Sequence, residues 1–478
     1  MNKIKYWPIL FLLTLCSCES WLAIEPEYEI TDADLYKNTD GYYKVLNGIY
    51  HMMSSSELYG KELSWGAVEA WARVYKLREA EHKSYLQLYN LKYDQKDAKD
   101  WISSFWSSGY KVIAQTNNLI YHTQKREDSF FKNGIIDKNI ILGEAYATRA
   151  MMHFEILRAF AQAPVLNKTE AYIPYIESYP SVVNPKMPTE EILKKIISDL
   201  LQARELVATF DLDPLNSGAI LNVSDRFFGP NHALGKFYSS RGTRLNYLAI
   251  TGLLARVCLY ADQQQEALGF AQEIIQLVTD KKLSFSASSS IESDPRMFSD
   301  LLFGFYNEKL ADNYEPFASG EIQTLYVEDV ALHSEFKSGS IFTDKRHYYV
   351  KKTNPQNVLT KYTGSSTNKK AGIIANIRLS EMYYIAAECV YQTNMKQATD
   401  YLNTVRKARG ISSPTIPSSL QPELFYDELV KEYRKDLIGE GQILFFYKRT
   451  NKPIKTSTDN FQHNGTLILP VPDSEDAV

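Results

Sequence analysis

A mainly α-helical fold of stacked antiparallel helix pairs, broken by long irregular insertions, is what this sequence predicts. Two observations carry the prediction: apolar residues recur at three- and four-residue spacings in several long stretches, and one block of the chain repeats another. The composition is that of a globular protein, with 44% hydrophobic and 23% charged residues. A formal net charge of -4 speaks against nucleic acid, which selects a basic face.

The first periodic stretch runs from Asp34 to Met53, where Leu35, Tyr42, Val45, Leu46, Ile49 and Met53 form one stripe. An N-cap is expected near Thr31, after the polar segment that contains Pro26. Trp101, Phe105, Val112, Ile113 and Leu119 mark a second helix, and Ile140 to Phe160 a third. A fourth is predicted from Glu190 to Val207: Pro188 and Thr189 introduce it, and Glu190 and Glu191 complement the positive end of its dipole. Leu193, Ile196, Ile197, Leu200 and Leu201 supply its apolar stripe.

The internal repeat aligns Leu254-Ala255-Arg256-Val257-Cys258 with Ile385-Ala386-Ala387-Glu388-Cys389. In both copies an Ala sits twelve positions before a second Ala (Ala255 and Ala267, Ala386 and Ala398), and a Cys follows the first Ala by three. Ile274 and Val405 follow the second Ala by seven. Small residues at this spacing let two antiparallel helices approach closely, and the larger apolar residues fill the seam, as in tetratricopeptide units. Cys258 and Cys389 then read as small core residues rather than metal ligands or a redox pair.

At the N-terminus, Lys3 and Lys5 precede an apolar run from Tyr6 to Cys16. That is the pattern of a secretory signal peptide, and the run is shorter than the roughly 20 apolar residues that span a bilayer. Leu15-Cys16-Ser17-Cys18 resembles the bacterial lipobox. Cys18 is the expected lipidation site, because cleavage before Cys16 would place the bulky Leu15 at the cut. The expected layout is a signal peptide over 1–17 and a lipidated tether over 18–30. Without Cys16 and Cys18, only two of the four cysteines remain, which is no disulfide framework.

Aromatic residues make up 13% of the chain, including 33 Tyr. Rings with hydroxyls suit both a core and a surface that covers the apolar face of a polar ligand. Trp101 and Trp106 lie on a periodic helix and read as core. Trp65 and Trp71, beside Gly66, Glu69 and Arg73, fit either core or a stacking platform, and Tyr75, Tyr85, Tyr89 and Tyr93 follow them. Little helical periodicity is visible from Phe303 to Tyr349, and binding usually lives on irregular insertions carried by a rigid scaffold. The candidate ligand-binding residues are therefore Trp65, Trp71, Tyr75, Tyr306, Tyr314, Asp344, Arg346, Tyr348 and Tyr349, with Asn307 and Phe317 nearby.

A series of blocks in fixed order resembles the SusD/RagB family of outer-membrane nutrient-binding lipoproteins. After Cys18 come Ile30-Thr31-Asp32-Ala33-Asp34-Leu35-Tyr36, Leu46-Asn47-Gly48-Ile49-Tyr50, and Asn117 with Asn118. Gly143-Glu144-Ala145-Tyr146-Ala147-Thr148-Arg149-Ala150 continues to Phe154, Arg158, Phe160 and Pro164. Ser198-Asp199-Leu200, Leu254-Ala255-Arg256-Val257, Arg378-Leu379-Ser380-Glu381-Met382-Tyr383, Leu402-Asn403-Thr404-Val405-Arg406 and Gly439-Glu440-Gly441 complete the series. Tyr433, Gln442 and Phe446-Tyr447 depart from the family pattern.

The resemblance implies one SusD-like domain over 31–478, with repeat units near 140–207, 245–280 and 378–410 and a ligand-binding insertion near 281–370. It also implies a lipid-anchored protein of the outer membrane facing the cell exterior. Such a protein captures a nutrient, an oligosaccharide or a peptide, and delivers it to a SusC-like TonB-dependent transporter. Ligand residues vary too widely within the family to be carried over.

Catalytic motifs are missing from the sequence. No two His stand one helical turn apart with a Glu, and there is no Gly-x-Ser-x-Gly elbow, phosphate loop or dinucleotide fingerprint. No cofactor or metal site is expected. A glycosidase needs only two carboxylates and leaves little trace, so it stays open as a third reading beside passive capture and a peptide- or protein-binding repeat module. Glu144, Glu381, Glu432 and Glu440, in family-like helices, are expected to cap or to pair with Arg.

Overall fold

The computed structural model describes residues 32–327, 344–353, 356–364, 369–456, 460–473 and 475. The signal peptide, Cys18, the tether and Thr31 lie outside these residues. The principal helices are α1 (Thr39–Met53), α2 (Lys96–Gln124), α3 (Ile135–Phe160), α4 (Thr189–Asp211), α5 (Tyr247–Tyr260) and α6 (Gln264–Thr279). They continue with α7 (Leu310–Ala318), α8 (Leu379–Val390), α9 (Met395–Ala408), α10 (Pro422–Leu437) and α11 (Ile443–Thr450). No helix among the described residues is long and apolar enough to cross a membrane.

The helices stack in sequence: α2 on α3, α3 on α4, α4 on α5, α5 on α6, α6 on α8 and α8 on α9. Ala255, Ala267, Ala386 and Ala398 are all fully buried where these helices meet, with Ile274 and Val405 beside them. Burial pushes the thiols of both Cys258 and Cys389 up to about 12, so neither is a reactive thiolate at neutral pH. Gly143 shows how tight the stack is: a Cβ there would lie 2.7 Å from Val207 Cγ1 of α4.

The middle helix, α3, is buried on every side from Ile140 to Phe160. A helix so enclosed must satisfy each polar side chain internally. Arg149 makes a two-pronged pair with Asp199 of α4 (2.7 and 2.8 Å), and Arg158 pairs with Glu155 and donates to Gln442.

The segment expected to be irregular, near 281–370, carries more regular structure than its sequence suggests. Strand β2 (Leu301–Tyr306) pairs antiparallel with β6 (Ile373–Arg378), with Leu301 opposite Arg378 and Tyr306 opposite Ile373. A second sheet runs in the order β1 (Tyr75–Lys76), β3 (Tyr326–Val327), β5 (Gln356–Leu359), β4 (Val350–Thr353), all antiparallel. In the first sheet burial on both faces hides the strand: five of the six residues of β2 are buried, so the period-two alternation that betrays a strand is erased. The second sheet ties the early segment around Trp65–Tyr75 to the insertion.

Candidate ligand-binding cleft

Helix α1 begins at an N-cap in which Asn38 accepts from the Gly41 N–H (3.1 Å). Its stripe of Tyr42, Leu46, Ile49 and Met53 faces the core. The other side therefore carries Asp40, Lys44, Asn47 and His51 in one exposed row, with Tyr43 and Tyr50 next to it. Together they form one wall of an open cleft of about 700 Å³. The facing wall comes from the loop around Leu234–Phe237 with Ser239, Thr243 and Arg244, and Lys132, Phe305 and Tyr306 complete the lining.

Two rings and one guanidinium set the shape. Tyr43 stacks on Phe237 (centroids 3.8 Å apart, 18° between planes), bridging the two walls. The Arg244 guanidinium lies 4.0 Å from the Phe237 centroid and 5.3 Å from that of Tyr50. Arg244 donates to Asn47 (2.9 Å) and to Glu144 (2.9 Å), and Tyr50 donates to the same carboxylate (2.8 Å) while accepting from the Leu245 N–H (2.8 Å).

Beneath the cleft, Glu144 and Asp211 are matched by Arg241 and Arg244 in a neutral, buried cluster. Burial raises the Glu144 carboxyl, but Arg244 and Arg241 more than offset this and hold it below the usual carboxylate range. One donor is left over: Arg244 is only 6% exposed, yet its second guanidinium nitrogen, Nη2, has no hydrogen-bond partner.

The cleft rim is different, because Lys44, Lys132 and Lys236 are exposed and none of them pairs with a carboxylate among the described residues. Asp40 is the single acidic residue of the lining.

Of the residues predicted from sequence, Tyr306 alone reaches this cleft, at 46% exposure. Tyr348 is surface-exposed elsewhere, against His347. The remaining seven are corrections, since each is buried with its polar group satisfied inside or packed in the core. Trp65 meets Tyr314 edge-on (4.7 Å, 86°) and accepts from Tyr75 at its carbonyl (2.5 Å); Tyr314 donates to the Leu359 carbonyl (2.6 Å). Trp71 donates to Tyr93 (2.9 Å). Tyr349 donates to the Lys435 carbonyl.

Asp344 and Arg346 pair with each other, and Arg346 continues to Glu432 (2.6 Å) and Asp436 (3.0 Å). Packing the insertion onto the helices turned these residues inward, where a ring fills volume and a charge must be paired.

The four helix carboxylates singled out from sequence also find cationic partners. Besides Glu144, Glu381 pairs with Arg256, Glu432 with Arg346 and Arg406, and Glu440 with Arg378 and Lys361. Glu440 owes its position to its neighbours: Gly439 and Gly441 have φ of +77° and +70°, and at Gly441 a Cβ would overlap the Leu63 carbonyl oxygen.

Sequence reasoning missed Tyr43, Lys44, Phe237 and Arg244. A signal was present in the exposed row of α1, where Lys44, Asn47 and His51 share a face with no neighbouring acid but Asp40, though nothing local shows which element faces it.

The architecture is that of a helical-repeat scaffold with a small sheet insertion and an open polar cleft. A family model described as "Starch-binding associating with outer membrane" matches residues 31–212, and one described as "SusD family" matches residues 271–476. The chain belongs to the SusD family. It is 23% identical to SusD-like protein P38 of Formosa agariphila over 95% of this chain and 93% of that protein.

Among solved structures it resembles a SusD superfamily protein from Bacteroides thetaiotaomicron (TM-score 0.69, 21% identity, 92% of this chain and 98% of that one). It also resembles a putative sugar binding protein from Bacteroides vulgatus (TM-score 0.72, 20% identity, 92% and 96%).

Proposed function

We propose that this protein is a lipid-anchored capture protein of the outer membrane, facing outward, that binds an oligosaccharide in the α1 cleft and passes it to a SusC-like TonB-dependent transporter without chemical change. The observation that carries the reading is the cleft: about 700 Å³ of open volume, walled by stacked Tyr43 and Phe237 with exposed Tyr306 in its lining. Rings cover the apolar C–H face of a sugar, while Asn47, Ser239 and Thr243 offer partners to its hydroxyls. The family description, which names starch binding and the outer membrane, supports the same reading. So does the likeness to the putative sugar binding protein from Bacteroides vulgatus.

Calorimetry of the purified protein against a panel of glycans and peptides tests the reading. Binding of an oligosaccharide that Tyr306→Ala and Asn47→Ala weaken is the expected result; a ligand whose affinity ignores both variants binds elsewhere. A bound glycan is expected to keep its chain length after long incubation, and product formation proportional to protein would make this an enzyme. Cys18→Ala is expected to free the protein from the outer membrane. Co-purification of the native protein with a TonB-dependent transporter tests the partnership.

A further inference from the structure

The cleft is cationic in a protein that is acidic overall. The chain carries 57 Asp and Glu against 53 Lys and Arg. Yet the cleft lining holds Lys44, Lys132, Lys236 and Arg244 against Asp40 alone. Elsewhere on the surface, many lysines stand beside carboxylates, as in Lys96–Asp100, Lys396–Asp400, Lys83–Asp97 and Lys455–Asp427. The three cleft lysines converge on one volume from three separate elements, the exposed face of α1, the turn before α3 and the loop around Gly235, with no such partner among the described residues. Exposed cations of like sign gathered around a hollow repel one another, and an anion placed among them relieves that repulsion.

The buried wall beneath the lysines is already balanced. Glu144 is shared among Arg241, Arg244 and the Tyr50 hydroxyl, so the buried cluster is already neutral. The Nη2 donor of Arg244 is itself enclosed, as are the unpartnered nitrogens of Arg378 and Arg409, so the unmatched charge that opens onto the cleft is that of the three lysines.

We propose that the oligosaccharide taken by this cleft is anionic, bearing carboxylate or sulfate groups that meet Lys44, Lys132 and Lys236. This inference rests on the capture reading and narrows it. The exposed ring of Tyr306 favours a sugar over an acidic peptide, because it offers a flat face beside the cations. Neutral glycans find the same ring but leave the cations unmatched.

The test is calorimetry of the full chain against four probes: oligogalacturonate, its methyl ester, dextran sulfate and poly-glutamate. Oligogalacturonate or dextran sulfate is expected to bind, and whichever does identifies the acidic group. The methyl ester, with the same sugars and no charge, is expected to bind about tenfold more weakly or worse, about 1.4 kcal/mol of affinity. Affinity for the acidic probe is expected to fall as salt is raised.

Combined Lys44→Gln, Lys132→Gln and Lys236→Gln is expected to abolish the preference for the acidic probe. Lys76→Gln, Lys194→Gln and Lys407→Gln, which remove as much charge from exposed sites outside the cleft lining, are expected to preserve it. Equal affinity for the ester and the acid would overturn the anionic assignment while leaving glycan capture standing. Tight binding of poly-glutamate with none of either acidic glycan would overturn the glycan reading as well, whereas binding of no probe at all would overturn the anionic assignment.

Discussion

Arg346, Arg378, Arg409 and Lys361 sit at zero exposure under the insertion, while Lys44, Lys132 and Lys236 stand in solvent around the cleft. Each of the buried cations is paired with the protein's own carboxylates. Arg346 meets Asp344, Glu432 and Asp436; Arg409 meets Asp300 and Asp436; Arg378 and Lys361 share Glu440. Two strongly cationic regions of one chain thus differ in what neutralises them: the first is closed by the protein's own carboxylates, the second is open to an external one. Asp344 and Arg346, which look like ligand contacts in the sequence, belong to the closed region. Side-chain type alone does not separate a charge that holds the fold from one that awaits a ligand; pairing with the protein's own carboxylates does.

The largest expected effect breaks the closed region. Arg346→Ala removes the cation shared by three buried carboxylates, leaving them to Arg406, Arg409 and Lys435, and removing one partner of a buried pair costs about 3–5 kcal/mol. Denaturant unfolding measures this, and a loss no larger than that of a surface substitution would show that the network is solvated and the comparison mistaken. Trp65→Ala tests the ring filling beside it, where truncation of a fully buried aromatic costs about 3–5 kcal/mol. Glycan affinity of the surviving folded protein should not move.

An intermediate effect comes from two buried groups that stay neutral. Burial pushes the Glu69 carboxyl up to about 8, against the opposing pull of the Gly441 N–H, which donates to it at 2.9 Å. With the folded pKa above the unfolded one, the unfolded state loses its proton first. Stability should therefore fall as pH rises from the ordinary carboxyl range toward 8, by at most about 1.4 kcal/mol per pH unit.

His153, pushed down to about 3 by burial, works in the other direction. The unfolded state takes up a proton first, so stability falls as pH drops from the ordinary imidazole range toward 3. Melting temperature against pH is expected to peak between these flanks. Glu69→Gln should flatten the alkaline flank alone, and an unchanged flank would assign the loss to other groups.

The smallest effect on stability belongs to the open region. Lys44→Gln, Lys132→Gln and Lys236→Gln should each shift unfolding free energy by no more than about 0.5 kcal/mol, as for ordinary surface substitutions. Relief of mutual repulsion can even make the change favourable. A large loss at any of them would mean that it holds the fold, and would erase the distinction between the two regions.

Periodicity and the paired alanines were enough to read the helical repeats, because those signals are local: residues three, four and seven apart share a helix face whatever surrounds them. Ala255 with Ala267 and Ala386 with Ala398 show a close helix contact in one dimension, and the structure buries all four. Glu144, Glu381, Glu432 and Glu440 were legible as partners of arginine for a similar reason, since a carboxylate in an apolar helix must be neutralised. Whether a given ring or charge faces solvent is not local. Trp65 and Tyr349 became core when the β1–β3–β5–β4 sheet joined the insertion to the early loop. Tyr43, Lys44 and Asn47 became a cleft wall only because a loop some 190 residues later folded back to place Phe237 and Arg244 opposite them. Secondary structure follows from neighbours along the chain, but a concave surface is made by elements that meet only in three dimensions.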